Sequence, residues 1–194
     1  QITHDDSVKV EMPYSKKELI AMAPIGYDML AKEFPHLAYH PTSLKRSIYS
    51  LPLTYMGFSG YLNPFTNEAQ IDGLIPEYKY PTICSHEIAH QLGYAAENEA
   101  NFIGSMAAMH NDNIYFQYSG YTFALAHCLS DLYLRDPSKQ EELFKLINVG
   151  VLKNYQEAKE FWDSYKNPAE IYFKNTYSGF LIANNQTGGI DSYS

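Results

Sequence analysis

The chain has 194 residues, of which 45% are apolar and 19% are charged, and its formal net charge is −8. This length suits a single domain, and the apolar content excludes a disordered or low-complexity chain. The acidic balance disfavours nucleic-acid binding, which needs a basic surface. The two cysteines, Cys84 and Cys128, exclude a disulfide framework and a zinc site made of cysteine alone. No segment has the length and apolar character of a membrane span.

The first predicted element is a helix over residues 15–34, which Pro35 ends. Ser15 and Glu18 have the spacing of a capping box, and apolar residues recur after them at helical intervals. A second, shorter helical segment is expected over residues 43–50.

A small β element is predicted next. Residues 51–58 and 69–75 are rich in β-forming residues, and a turn is expected over residues 60–64 between them. From Pro81 onward the pattern is helical, with breaks at Gly93 and at residues 111–113, 136–137, 167–168 and 188–189. The sequence therefore predicts one α+β, mostly helical domain over residues 1–194, with its β element before the main helical part.

The chemistry of the chain is indicated by residues 86–90, which read HEIAH. Residues four apart share one face of a helix, so His86 and His90 can converge on one metal ion. Glu87 then lies beside them, where it can contact a metal-bound water. With 7 histidines in the chain, chance would produce roughly 0.02 motifs of the HExxH form. The alternative is a buried helix that holds two histidines for structural reasons.

A catalytic zinc site needs a third protein ligand. One group of HExxH enzymes supplies it in the longer motif HExxHxxGxxH, but here Ala96 occupies the position of that last histidine. The segment that follows instead carries Glu97 and Glu99 on a second predicted helix. This points to the arrangement in which a second helix delivers a carboxylate.

Only one of these two glutamates can face the metal, because residues two apart on a helix point about 200° apart. Glu97 shares its face with small residues that allow close helix packing: Ala100, Asn101, Gly104 and Ala108. Glu99 shares its face with bulkier residues that are typical of a core: Phe102, Ile103 and Met106. We therefore expect Glu97 to be the third ligand, with Glu99 as the alternative.

Residues 81–104 resemble an uncharacterised family of bacterial membrane proteins assigned to the zincin-like metallopeptidases. The segment reads PTICSHEIAHQLGYAAENEANFIG, and the mark of that family is HExxH followed closely by ExEAN. Residues 60–69 and 189–194 also resemble it, so the resemblance covers most of the chain from about residue 50. The ExxA[DN] spacing from Glu97 is similar to that of membrane CAAX-type peptidases, whose first glutamate binds zinc. The resemblance implies a zincin-like fold and zinc hydrolase chemistry.

We therefore expect one zinc ion, bound by His86, His90 and Glu97, and hydrolysis of peptide or protein substrates by a zinc-activated water with Glu87 as general base. A tyrosine or histidine of the helical half is expected to stabilise the oxyanion. The alternative is a zinc-stabilised binding or sensing module without turnover. Glu87 favours the enzyme, since a purely structural site has no use for a carboxylate there.

Three further expectations concern the surroundings of this site. Part of the segment 51–75 should border the zinc cleft, because an exposed edge strand can pair with an extended peptide. The pairs His36/His40 and His127/Cys128 are expected to pack rather than to bind metal. The full-length protein is expected to be attached to a membrane through segments outside this sequence. This chain is expected to be its soluble part. That expectation follows from the resemblance and from a chain that begins at Gln1 without methionine.

Overall fold

A computed structural model describes residues 5–40, 43–167, 175–176 and 178–179. The expectation of a mostly helical α+β chain with a small β element is confirmed for these residues. The helices are α1 (Lys16–Leu30), α2 (Ser50–Met56), α3 (Tyr80–Gln91), α4 (Glu97–His110), α5 (Ile114–Arg135), α6 (Pro137–Phe144) and α7 (Val149–Tyr165). The strands are β1 (Leu44–Arg46), β2 (Gly60–Leu62) and β3 (Ala69–Ile71), and two 3-10 turns span Pro35–Leu37 and Glu77–Lys79.

Helix α1 begins as the sequence predicts, with a capping box. The Ser15 hydroxyl accepts a hydrogen bond from the backbone N–H of Glu18, and the Glu18 carboxylate accepts one from the N–H of Ser15 at 2.8 Å. The helix ends at Leu30, four residues before the predicted end. On its buried face the Tyr27 hydroxyl donates to the carbonyl of Ser85 at 2.5 Å, which ties α1 to the helix that carries the HExxH motif.

The three strands form one sheet in the order β1-β3-β2, with β1 parallel and β2 antiparallel to β3. The central strand β3 is fully buried, and β2 lies at an edge of this sheet. The predicted second strand is therefore confirmed, although it is shorter than 69–75. It stops where the Asp72 carboxylate accepts a hydrogen bond from the N–H of Leu74 and turns the chain.

Three local predictions between residues 43 and 64 are wrong. Residues 51–56 lie in helix α2 rather than in a strand: the Thr54 hydroxyl donates to the Asp72 carboxylate at 2.5 Å, which ties the helix to the end of β3, and Gly57 ends the helix at φ 81°. The expected helical segment 43–50 contains strand β1, because its backbone pairs with β3 in the sheet. The predicted turn at 60–64 begins instead after β2, where Asn63 accepts a hydrogen bond from the N–H of Phe65.

The helical half follows the predicted breaks at Gly93, 111–113 and 136–137. The break at 188–189 and the family-like segment 189–194 lie outside the described residues, as does residue 168. Among the helices that are described, none combines the length and apolar character that crossing a bilayer requires.

Helix α3 lies at the centre of the molecule, and residues 80–89 are all buried. The sheet packs on one side of it, and α1, α4 and α5 surround the rest. The core cluster combines residues from α1, β3, α3 and α4 with Phe116 of α5. The motif-bearing helix is therefore held on every side by other elements.

Helices α3 and α4 approach each other most closely at Gly104. A Cβ atom placed on Gly104 would lie 2.7 Å from both the Cα and the backbone N of His86. Since these are backbone atoms, they cannot turn aside as a flexible side chain would. The absence of a side chain at Gly104 sets the distance between the two helices beside the candidate site.

Replacing Gly104 with alanine should therefore destabilise the fold. We expect Gly104→Ala to lower the free energy of unfolding by about 1–3 kcal/mol, the usual cost of overpacking, as measured by urea denaturation. Asn98→Ala, an exposed change on the same helix, is the matched control and should stay within about 0.5 kcal/mol of the parent. Equal stability of the two variants would contradict this account of the contact.

Candidate metal centre

Three side chains converge at the facing ends of α3 and α4. The Nε2 atoms of His86 and His90 lie 3.0 Å apart, and the Glu97 carboxylate oxygens lie 3.2 Å from His86 Nε2 and 3.3 Å from His90 Nε2. Zinc holds N and O ligands at about 2.0–2.1 Å with tetrahedral angles, which separates neighbouring ligand atoms by about 3.3 Å. The spacing of the three groups therefore fits one zinc ion.

The turn between the two helices also orients His90. Gly93 adopts φ 102°, a left-handed conformation that glycine allows, and the chain turns back so that the Tyr94 carbonyl lies 2.8 Å from His90 Nδ1. A metal-binding histidine commonly donates its other ring N–H to a carbonyl in this way, which leaves Nε2 free for the ion. Gly93 is thus the predicted helix end, and its turn places the carbonyl that orients the ring of His90.

The charges in the cluster are those expected where a cation binds. Burial opposes ionisation of Glu97, but hydrogen bonds and positive charge from His86 and His90 outweigh it and lower its pKa to about 2. Burial alone would lower the pKa of His90, yet the contact with Glu97, the charge of Glu87 and the Tyr94 carbonyl together raise it. A raised pKa means that His90 binds a proton more readily, so a divalent cation would compete with this proton.

Glu87 lies beside the three converging groups and does not join them. Burial raises its pKa to about 6, against the positive charges of His86 and His90. Its Oε2 atom is buried and has no hydrogen-bond partner among the described residues. A buried carboxylate oxygen without a partner in the fold remains available to a water molecule or a substrate.

Strand β2 forms the boundary of the site on the Glu87 side. A Cβ atom on Gly60 would lie 2.5 Å from Glu87 Oε1, so glycine is needed where the strand passes over this carboxylate. The expectation that part of the segment 51–75 borders the site is therefore confirmed. Pairing of a peptide with this strand stays a prediction.

The converging residues open into a cavity of about 270 Å³, which we call the metal cleft. Its walls come from five parts of the chain and are formed by Gly57, Ser59, Ile75, Lys79, Ile83, His86, Glu97, Asn101, Phe123, His127 and Trp162. A cleft of this kind, with a cluster of titratable groups at its wall, is the usual setting of a catalytic site.

His127 is the residue of the cleft that sequence reasoning missed. It was expected to pack with Cys128, but its ring instead lies against the ring of Phe123, with 4.5 Å between the ring centres. His127 lines the cleft and, like Cys128, is exposed to solvent. Burial lowers the pKa of His127, and the charges of Lys79 and His86 lower it further. Only the i, i+4 spacing of Phe123 and His127 on one helix hinted at this shared face.

The other sequence candidates lie apart from this cluster. Glu99 is exposed on the opposite side of α4, beside a groove bordered by Phe102, Ile103 and Met106. The expectation of a core on that face is wrong for Phe102, whose side chain is 65% exposed. His36 makes an edge-to-face contact with Phe34, and His40 lies near Asp28, so each histidine has a different neighbour. Within the described part of the chain, His86, His90 and Glu97 form the one group of three possible metal ligands.

Removing any of the three converging side chains should remove zinc. We expect the parent protein to bind about one equivalent of zinc and His86→Ala, His90→Ala and Glu97→Ala to lose it, as measured by elemental analysis after dialysis. Glu99→Ala removes a carboxylate two residues away on the exposed face, so this matched control should keep its zinc. Loss of zinc in Glu99→Ala with retention in Glu97→Ala would reverse the assignment of the third ligand.

The comparisons with known proteins identify a family without identifying an activity. No curated protein and no solved structure matches this sequence. The family model described as "Protein of unknown function (DUF3810)" matches residues 1–194, which is the whole of the sequence. The chain therefore belongs to the DUF3810 family.

Proposed function

We propose that this chain is a zinc-dependent peptidase with a zincin-like fold. The observation that carries the proposal is the convergence of His86, His90 and Glu97 beside the buried, unpartnered carboxylate of Glu87. Structural zinc sites are closed by four protein ligands, whereas catalytic sites use three and keep one position open. A three-ligand cluster facing a cleft has the composition of the catalytic kind.

Zinc held by these residues would supply Lewis acidity, lowering the pKa of a coordinated water to about 7 and polarising the scissile carbonyl. Glu87 acts as the general base, accepting a proton from the attacking water. A pKa of about 6 suits this step, since the group is ionised at neutral pH and still basic enough to accept a proton. As the C–N bond of the substrate breaks, Glu87 returns the proton to the leaving amine.

His127 is the residue we assign to the oxyanion. It lines the same cleft as His86 and Glu97, and its lowered pKa keeps the ring neutral with one N–H to donate. A donor at the wall of the cleft stabilises the negative charge that develops on the carbonyl oxygen. None of the tyrosines among the described residues lines this cleft, so His127 fits the expected role best.

The substrate is proposed to bind as an extended chain along β2. This strand pairs with β3 on one side only within the described sheet, and Gly57 and Ser59 just before it line the metal cleft. A peptide added to such an edge is held by main-chain hydrogen bonds. Attachment of the full-length protein to a membrane also stays a proposal, and it rests on the family resemblance alone.

Changing Glu87 to glutamine should separate catalysis from metal binding. Glu87→Gln keeps the size of the side chain and removes the base, so we expect zinc to be retained and hydrolysis of a mixed peptide library to fall about 10²–10⁴-fold. Elemental analysis and mass spectrometry of the library measure the two effects. Glu99→Gln, an exposed change of the same kind, is the control. Equal turnover by parent and Glu87→Gln proteins would remove Glu87 from the mechanism, and zinc without turnover in the parent would favour the binding module.

Changing His127 should slow the reaction without affecting the metal. We expect His127→Ala to lower kcat about 10²–10³-fold, as loss of one oxyanion donor does, while zinc content and KM change little. His40→Ala removes an exposed histidine far from the cleft and should leave kcat unchanged. An unchanged kcat in His127→Ala would exclude it as the oxyanion donor.

A further inference from the structure

A second cavity, which we call the side pocket, adjoins the metal cleft. It has a volume of about 320 Å³ and lies between the start of α3, the middle of α5 and α7. Four residues line both cavities, namely Lys79, Phe123, His127 and Trp162. Because the two cavities share this wall, a substrate held in the metal cleft has the side pocket directly beside it.

The side pocket offers mainly apolar surface. Its apolar surface comes from side chains such as Phe123, Ala126, Ala158 and Trp162, and four of the five hydroxyls in its wall, all but that of Tyr78, are hydrogen-bonded inside the fold. Hydrogen bonds join Thr82 to Ser119 at 2.8 Å, Thr122 to the carbonyl of Tyr118 at 2.8 Å and Tyr155 to the carbonyl of Thr122 at 2.6 Å. A pocket of this size and character accepts one large apolar side chain.

Lys79 is the exception in this wall. Its side chain is partly buried, and the structure gives its ammonium no hydrogen bond or ion pair with any described residue. Burial lowers its pKa, with no carboxylate close enough to oppose this. The other lysine of the pocket, Lys159, is bound to Asp163 at 2.7 Å.

An unpaired ammonium in such a position is costly to the fold. It is also unexpected, because acidic residues outnumber basic ones by 22 to 14 in this chain. None of the described residues that line the side pocket is acidic. The pocket therefore combines apolar surface with one positive charge that lacks a partner, and this combination is complementary to an apolar group next to an anion.

We propose that the side pocket binds the C-terminal residue of a peptide, with its apolar side chain in the pocket and its α-carboxylate on Lys79. The carboxylate and the side chain of that residue leave the same Cα atom, and the preceding peptide bond is one residue closer to the metal cleft. The order of the sites in the protein matches: the side pocket adjoins Lys79, and both adjoin the metal cleft, where the peptide bond would lie. This inference rests on the proposed peptidase function, which it narrows to a carboxypeptidase. In that reaction one water is consumed, the last peptide C–N bond breaks, and a free amino acid leaves.

The first test compares peptide acids with their amides on the zinc-loaded protein. N-blocked peptides that end in phenylalanine should be hydrolysed at the last bond about 10- to 100-fold faster as free acids than as C-terminal amides, since a charge-assisted hydrogen bond is lost in the amide. This comparison needs no variant. Equal rates on acid and amide, or faster cleavage of amidated peptides at internal acidic residues, would overturn the inference while leaving the peptidase proposal in place.

The second test measures binding without turnover, so that its outcome does not depend on the proposed activity. In the zinc-loaded Glu87→Gln protein, calorimetry should show about 10- to 100-fold tighter binding of the peptide acid than of the amide. Adding Lys79→Met should abolish this preference, and adding Lys79→Arg should largely keep it. Lys139→Met, which removes an exposed charge on α6, is the matched control and should not change it.

These two tests fail independently. Suppose that peptide acids bind more tightly than amides through Lys79, but that the parent protein hydrolyses no peptide. This result would refute the proposed peptidase function and support carboxylate binding in the side pocket. Peptide hydrolysis with no acid preference in rate or binding would refute the pocket and support the peptidase. Retention of the preference in Lys79→Met would place the carboxylate elsewhere and also refute the pocket.

Discussion

The candidate metal centre depends on how closely α3 and α4 approach each other. Two histidines one helical turn apart make only half of a metal site, and the third group has to come from another element. Gly104 lets the backbone of α4 pass against the backbone of His86, and the Gly93 turn makes the connection between the helices short. Glu97, the first residue of α4, is thereby delivered to both imidazoles. The close approach of α3 and α4 therefore requires small residues on one face of α4 and also brings Glu97 to the histidines.

The metal cleft has two walls of opposite electrostatic character. The wall formed by α3 and α4 carries the carboxylate of Glu97, whereas the wall shared with the side pocket carries His127 and the unpaired Lys79. Such a field orients a polar substrate, because its cationic and anionic ends interact with different walls. Under the proposals made above, it would place the scissile carbonyl near His127 and a terminal carboxylate near Lys79. The acidic net charge of the whole chain makes the positive wall a local feature rather than a property of the surface.

Several features follow from sequence because their physics is local. The capping box of Ser15 and Glu18 involves residues three apart, so α1 is predictable from its own segment. The convergence of His86 and His90 requires only that the motif be helical. The choice of Glu97 over Glu99 follows from helical geometry and side-chain size, and the structure brings Glu97 to the two histidines. The expected roles of these residues in binding zinc stay predictions.

Other features were decided only by tertiary contacts. Residues 51–58 have β-forming composition, but most of them lie in α2, which a hydrogen bond from the Thr54 hydroxyl to the distant Asp72 carboxylate holds in place. Strand β1 comes from a segment with helical character because it pairs with β3. His127 lies 37 positions after the end of the motif and Lys79 lies 7 positions before its start, and no spacing rule places either residue in the cleft. The sequence by itself thus determined that His86 and His90 share one helix face and that Glu97 rather than Glu99 lies on the small face of the next helix, since neighbours on one helix face are set by periodicity. The tertiary structure alone decided the strand over Glu87, the oxyanion candidate and the side pocket, because these depend on which distant surfaces pack together.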